Sequence, residues 1–161
     1  MRILGIDPGL GVTGYGIIED KTFKLVEAGI IKTRPNTLIE KRITKIFNEV
    51  SAIIEEYRPG VLVLEKIYSH YRHPTTAILM AHARAMACLV CGKFNVKLVN
   101  YPSTRIKKAV TGNGHASKQQ VQRMVQNLLQ LKYPPEPADV SDALAMAISY
   151  CFIEKRQRVV R

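Results

Sequence analysis

The alternation of apolar and polar residues along the first third of the chain predicts three β-strands. Apolar-rich residues at 2–6 end at Asp7, and two further extended segments follow at 12–19 and 23–33. Because short polar turns join these segments, we expect the strands to pair as an antiparallel meander. The next segment, 38–57, has apolar residues at helical spacing and predicts an amphipathic helix.

Helical and extended patterns alternate in the rest of the chain. A continuous apolar run at 61–64 is typical of a parallel strand covered on both faces. The other predicted elements are a helix at 75–92, a strand at 96–101, a helical turn at 106–110, and helices at 117–131 and 139–154. This order predicts an α/β fold with a five-stranded mixed sheet, in which a three-strand antiparallel meander joins two parallel strands, and with helices on both faces. We expect one domain over 1–154 and a short basic tail at 155–161.

Glycines are concentrated around the first two predicted strands. Pro8 and Gly9 follow the first strand in the order that suits a type II turn. Gly14 and Gly16 lie near the start of the second strand. The stretch resembles a phosphate-binding loop, but it lacks the lysine and the following helix that such a loop needs. We therefore expect these glycines to form turns and to allow close strand packing.

The composition, 47% hydrophobic and 23% charged, is that of a folded domain and excludes a disordered chain. The net charge of +11 arises in one segment. Between Lys66 and Pro135 the chain has 11 basic residues and no acidic one, whereas elsewhere 13 basic residues balance 13 acidic ones. Because both signs normally intersperse on a surface, this segment predicts contact with a polyanion, and nucleic acid is the best candidate.

Apolar runs and cysteines indicate the cellular setting. We expect no membrane-spanning helix, since the apolar runs are short, and no secretory signal, since residues 1–10 lack its apolar core and cleavage site. Three cysteines do not make a disulfide framework, and Cys88 and Cys91 lie in an apolar helical run that is typical of buried thiols. The sequence therefore predicts a cytoplasmic protein with no membrane partner.

Four carboxylates occupy positions where such a fold gathers ligands. Asp7 and Glu65 end strands that we expect to be parallel neighbours, and Asp139 and Asp142 share one face where the last helix begins. Taken singly, each has an ordinary reading as a turn residue, a strand end or a helix cap. Taken together, crowded carboxylates stay ionised only beside cations, and oxygen ligands suit Mg²⁺ or Mn²⁺. Two such ions about 4 Å apart suit the hydrolysis of a phosphodiester.

Four segments carry a family resemblance. They read ILGIDPGLGVTGYGII at 3–18, VLEKIYS at 63–69, TGNGHASKQQVQRMV at 111–125 and ADVSDALAMAI at 138–148. Through them the sequence resembles the RuvC family of bacterial Holliday-junction resolvases, within the ribonuclease H-like superfamily. The resemblance covers nearly the whole chain, from about residue 2 to residue 153, and the combination of the first and last segments is highly specific.

The resemblance implies a structure-specific endonuclease that resolves four-way DNA junctions by symmetric paired nicks, leaving 5′-phosphates, in homologous recombination and DNA repair. It implies that Asp7, Glu65, Asp139 and Asp142 are the catalytic metal ligands. Two Mg²⁺ ions per active site, with Mn²⁺ as a substitute, are the implied cofactors.

The resemblance also implies DNA-binding residues. Lys107 and Lys118 match basic positions of the family, and Tyr68 matches an aromatic position associated with the bases at the crossover, where phenylalanine is more usual. The basic segment supplies further candidates for DNA contacts, which are Arg72, Arg105, Lys108 and His115.

The implied partners are a four-way DNA junction, a second copy of the chain, and a branch-migration complex of the RuvA and RuvB type, in the bacterial cytoplasm with the nucleoid. The apolar helix around 77–90 gives some independent support for a homodimer, because a helix that is apolar on most faces needs burial on most sides. Burial within the monomer core is the alternative for that helix. A two-fold dimer matches a substrate with two-fold symmetry.

Three other functions stay open at this point. The same carboxylates suit a nuclease that acts on RNA or on an RNA–DNA hybrid. A non-catalytic junction-binding module is disfavoured, because four anions beside a polyanion do not help binding alone. An actin-like or sugar-kinase ATPase is disfavoured by length, since 161 residues supply one lobe where such enzymes need two.

Overall fold

The computed structural model describes residues 1–67 and 74–159, and side chains up to residue 154. Tyr68 and Arg72, which were predicted to bind DNA, lie outside the described residues. The strands of the described part are β1 (Arg2–Asp7), β2 (Val12–Glu19), β3 (Leu25–Lys32), β4 (Val61–Glu65) and β5 (Lys97–Tyr101). Its helices are α1 (Ile39–Tyr57), α2 (Pro74–Phe94), α3 (Ser103–Thr111), α4 (Lys118–Leu128) and α5 (Ala138–Val159).

The five strands form one sheet in the order β3-β2-β1-β4-β5. β1, β2 and β3 are antiparallel neighbours, whereas β4 runs parallel to β1 and β5 runs parallel to β4. The predicted mixed sheet, a meander joined to two parallel strands, is confirmed. Because β1 and β4 are parallel, Asp7 and Glu65 lie at the same edge of the sheet, where the parallel strands end.

Alternating residues of the strands pack against helices on opposite faces. Ile3 of β1 belongs to a core formed with α3, α4 and α5, whereas Leu4 belongs to a second core formed with α1 and α2. Both side chains are fully buried. This alternation is what a strand covered on both sides requires, and it confirms the predicted helices on both faces.

Helix α5 lies directly on β1 and β2 because glycines remove side chains from the contact. A Cβ atom added at Gly14 would lie 2.8 Å from the Cβ atom of Asp139 and closer still to the carbonyl of that residue. One added at Gly16 would lie 2.6 Å from Cγ of Leu144. The predicted strand-packing role of these two glycines is confirmed, and it brings the start of α5 onto the end of β1 and the start of β2.

The turn after β1 differs from the prediction. Gly9 does not have the positive φ that the third position of a type II turn requires. Glycine is needed there for space instead, because a Cβ atom at this position would collide with the main-chain oxygen of Val12.

Helices α3 and α5 extend furthest beyond their predicted bounds, and α4 falls furthest short of its own. α3 has nine residues and is longer than the predicted helical turn. Its two core positions, Ile106 and Val110, are too few to reveal its length in the sequence. α4 ends at Leu128, three residues before the predicted end. α5 continues to Val159, past residue 154. The division of the chain into a domain at 1–154 and a tail stays a prediction.

Helix α2 has 21 residues and contains an 18-residue stretch with a mean hydropathy of 1.4, so it is long and apolar enough to cross a membrane by length and composition. This differs from the expectation that no segment meets those limits, because His82 and Arg84 divide the apolar residues of α2 into shorter runs. A single helix of this kind is weak evidence, because core helices of soluble proteins pass the same test. α2 packs on α1 and on the sheet through Ala83, Ala87 and Val90.

Candidate active site

Three of the four predicted carboxylates line one cleft at the edge where β1 and β4 end. Asp7 is the last residue of β1, Glu65 is the last residue of β4, and Asp142 lies in the second turn of α5. Lys107 of α3 and Lys118 of α4 line the same cleft, which has a volume of about 320 Å³. The cleft therefore combines half-buried carboxylates with two cations that come from α3 and α4.

The fourth carboxylate, Asp139, lies beside this cleft rather than in its lining. It lines a neighbouring groove with Lys32 of β3 and Glu136. Its charge still reaches the cleft, because Asp139 contributes to the raised pKa of both Asp7 and Asp142. The four groups thus form one electrostatic cluster, although the residues are divided between two depressions of the surface.

Burial raises the pKa of three of these carboxylates. The pKa of Asp7 is raised from 3.8 to about 7, first by burial and then by the charges of Asp142, Asp139 and Glu65. Burial is also the largest cause of the raised pKa of Glu65 and of Asp142. A cation placed among these groups would stabilise their ionised forms.

The two lysines act against this effect without cancelling it. Lys118 Nζ lies 3.9 Å from Asp142 Oδ2, and its charge holds the pKa of Asp142 below the value that burial alone would give. Lys107 acts in the same sense on Glu65 and Asp142. Because Lys118 is largely exposed, its ammonium group is free to contact a ligand at the mouth of the cleft.

Two residues at the site were missed by sequence reasoning. Ser103 lines the cleft at the start of α3, and its hydroxyl donates a hydrogen bond to Glu65 that lowers the pKa of that carboxyl. Arg84 of α2 donates from Nη1 to the main-chain oxygen of Glu65 at 2.6 Å. Ser103 was detectable in principle, because it follows β5 at the same sheet edge. The bond of Arg84 to a main-chain atom leaves no signal in the sequence.

The donor set fits a hard divalent cation. Carboxylate oxygens are the ligands that Mg²⁺ and Mn²⁺ take in proteins, and these four repel one another unless a cation separates them. Within residues 1–67 and 74–154, no three His, Cys, Asp or Glu side chains are close enough together to hold one ion as they stand.

Three other basic residues that were predicted to contact DNA, Arg105, Lys108 and His115, lie outside the lining of the cleft. The guanidinium of Arg105 lies over the ring of Tyr101, 5.1 Å from its centre. Lys108 and His115 are exposed on α3 and on the loop that follows it. They extend the positive surface away from the carboxylates, and their contacts with DNA stay predictions.

Comparison with known proteins decides the family. The sequence profile of crossover junction endodeoxyribonuclease RuvC matches residues 3–150. The chain belongs to this RuvC family of endonucleases. A RuvC from Rhodopirellula baltica is 46% identical over 151 residues, covering 92% of this chain and 84% of that one. A RuvC from Caldicellulosiruptor saccharolyticus is 39% identical over 153 residues, covering 93% of this chain and 92% of that one.

Solved structures agree with the RuvC assignment. The structure of T. thermophilus RuvC in complex with a Holliday junction substrate matches with a TM-score of 0.92 at 29% identity, covering 98% of this chain and 96% of that one. The yeast mitochondrial Holliday junction resolvase Ydc2 matches with a TM-score of 0.70 at 12% identity, which shows a shared fold alone. The predicted ribonuclease H-like fold and the predicted family are therefore confirmed, and RuvC nucleases are metal-dependent.

Proposed function

We propose that this RuvC chain resolves four-way DNA junctions by symmetric paired nicks, through phosphodiester hydrolysis at two Mg²⁺ ions per active site, with Mn²⁺ as a substitute. The observation that carries the proposal is the cleft in which Asp7, Glu65 and Asp142 face Lys107 and Lys118. The T. thermophilus relative, solved with a Holliday junction substrate, supports the choice of substrate.

In this proposal, Asp7, Glu65, Asp139 and Asp142 hold the ions, which when bound supply an activated water and a counter-charge for the leaving oxygen. The raised pKa of Asp7 means that its carboxyl releases a proton as a cation enters. Lys107 and Lys118 bind the phosphates of the scissile strand beside the carboxylates. Arg105, Lys108 and His115 extend this phosphate-binding surface along the junction arms.

A second copy of the chain is the proposed partner of helix α2. Ile78, Ala81, Ala85 and Leu89 are exposed at spacings of three and four residues, so they form one apolar stripe along the helix. Ile78 is 58% exposed and Leu89 is 55% exposed. Small alanines between two large apolar residues suit close packing of a helix against its two-fold mate, and a two-fold dimer presents two active sites to a two-fold junction.

The wider setting is proposed from the family. The chain acts in homologous recombination and DNA repair in the bacterial cytoplasm, with the nucleoid, and works with a branch-migration complex of the RuvA and RuvB type. The predicted contacts of Tyr68 with crossover bases and of Arg72 with DNA belong to the same proposal.

Cleavage of a synthetic mobile four-way DNA junction tests the function. Linear duplex, an RNA–DNA hybrid, EDTA and Asp7→Asn are the controls. We expect paired symmetric nicks that require Mg²⁺ and disappear in Asp7→Asn, while junction binding persists. Binding without cuts in Mg²⁺ or Mn²⁺ would instead indicate a binding module. Cleavage of the hybrid but not of the junction would retain the carboxylates and refute the substrate.

A further inference from the structure

The guanidinium of Arg84 connects three elements at the edge of the sheet that holds the carboxylates. From helix α2, its Nη1 donates to the main-chain oxygen of Glu65, the last residue of β4, at 2.6 Å. Its Nη2 donates to the side-chain oxygen of Asn100 in β5. Arg84 is partly buried, and it forms no ion pair with a carboxylate within the described side chains.

This contact lies where the hydrogen bonds between β4 and its neighbouring strands end. The parallel ladder between β1 and β4 ends at the pair formed by Ile6 and Leu64. On the β5 side, the last hydrogen bond joins the N–H of Lys66 to the oxygen of Tyr101 at 2.9 Å. The carbonyl of Glu65 has left the β1 ladder, and the guanidinium supplies its hydrogen bond.

We infer that Arg84 is a positioning residue for Glu65. Fixing the peptide that follows the Cα atom of Glu65 fixes the direction from which its carboxylate enters the cleft. Glu65 is then held at two points. Arg84 binds its main-chain oxygen, and the Ser103 hydroxyl binds its carboxylate. This inference rests on the proposed function, since it assigns a role toward the metal ligand of that site.

Geometry, rather than positive charge, is the basis of the role. A planar guanidinium donates two hydrogen bonds in fixed directions, whereas a lysine ammonium retains the charge without the fork. Residues that hold a metal ligand in place typically change metal affinity by about 10-fold to 100-fold when they are replaced. Arg84→Lys and Arg84→Gln should therefore both impair the site.

The chain offers a matched control. Arg2, the first residue of β1, donates from Nη1 to the main-chain oxygen of Tyr57 at 2.8 Å. This is the same kind of bond at the opposite edge of the sheet. Arg2→Gln removes an arginine-to-carbonyl contact without touching the carboxylates, so it reports what such a bond contributes to stability alone.

The first measurement is Mn²⁺ binding to the full chain without DNA, by isothermal titration calorimetry. We expect Arg84→Gln and Arg84→Lys to weaken binding by about 10-fold or more, and Arg2→Gln to leave it within about 2-fold. Since this assay needs no substrate, it remains informative even if the wild-type chain does not cleave a junction. Equal Mn²⁺ affinity of Arg84→Gln and wild type would overturn the inference.

The second measurement is cleavage kinetics on the junction at saturating metal. We expect kcat to fall by about 100-fold in Arg84→Lys with KM within about 3-fold, because a misplaced ligand affects the reaction more than the binding of DNA. Wild-type kinetics in Arg84→Lys would show that charge suffices and would refute a positioning role. So would a kcat loss in Arg84→Lys that Arg2→Gln reproduces at the same loss of thermal stability.

Discussion

The contact between Gly14 of β2 and the start of α5 offers a direct way to move a predicted metal ligand. A Cβ atom at this position would lie 2.8 Å from the Cβ atom of Asp139, and closer to its carbonyl carbon and oxygen. Ordinary contact between such atoms begins near 3.4 Å. In Gly14→Ala, α5 must therefore move by about 0.6 Å at the Cβ atom of Asp139, and by more at its carbonyl group.

Such a displacement is large for catalysis and modest for folding. A misplacement of about 1 Å in a reacting group can lower a rate by about 100-fold. Overpacking of this kind typically costs about 1–3 kcal/mol of the free energy of unfolding. We therefore expect Gly14→Ala to remain folded and to bind junctions while its kcat for junction cleavage falls by about 100-fold.

Gly11→Ala is the matched control, because nothing lies within 4 Å of a Cβ atom at that position and its φ is not in the left-handed region. Both variants add one methyl group to the same glycine-rich stretch. Junction cleavage under single-turnover conditions, together with urea unfolding, separates the two effects. Activity of Gly14→Ala within about 3-fold of wild type, at unchanged stability, would refute the argument that α5 needs the bare backbone of β2.

Three further predictions follow from the site and the surface. The pKa of the Asp7 carboxyl is about 7 in the folded chain, against an ordinary value of 3.8. In EDTA, the folded state therefore binds more protons than the unfolded state between these two pH values, and the free energy of unfolding falls as pH rises through them. Urea titrations should show this slope, and Asp7→Asn should reduce it. Lys118→Gln should weaken junction binding and lower the salt slope by about 1, as measured by fluorescence anisotropy. Leu89→Asp should convert the proposed dimer into a monomer in light scattering, because it places a charge in the apolar stripe of α2.

Each of these predictions has its own control. The Asp20 carboxyl has a lowered pKa, so the fall of the free energy of unfolding with rising pH should persist in Asp20→Asn. An unchanged slope in Asp7→Asn would contradict the first prediction. Lys24→Gln changes an exposed lysine between β2 and β3, and an equal loss of affinity in that variant would show only a general charge effect. Leu38→Asp alters an exposed leucine outside α2 and should leave the proposed dimer intact.

The sequence was sufficient for the sheet and for the carboxylates at its edge. Period-two and period-3.6 patterns identified the strands, and the apolar run at 61–64 indicated a parallel strand. From that pairing alone, Asp7 and Glu65 were expected at one edge. Asp142 joins them because the glycines of β1 and β2 let α5 lie close to the sheet, whereas the sequence indicated only turns and strand packing for the glycines at 9–16.

What the sequence did not reveal depends on distances and on main-chain atoms. The i, i+3 spacing of Asp139 and Asp142 suggested equal positions, yet Asp139 lines the groove beside the cleft. α3 was underestimated because its exposed positions are mostly basic and polar, with no apolar period beyond two residues. The bond between Arg84 and the oxygen of Glu65 involves an atom that every residue has, so no residue type indicates it.

Helix α5 carries the carboxylates Asp139 and Asp142 and also contributes Leu144 and Ile148, both fully buried, to the main core. A segment that belongs to the core opens to solvent only when the core itself opens. Backbone amides in the core-facing part of this helix should therefore exchange hydrogen at the rate of global unfolding. The edge that holds the carboxylates would then not unfold separately from the core, and adjustment to a junction would fall to exposed side chains such as that of Lys118.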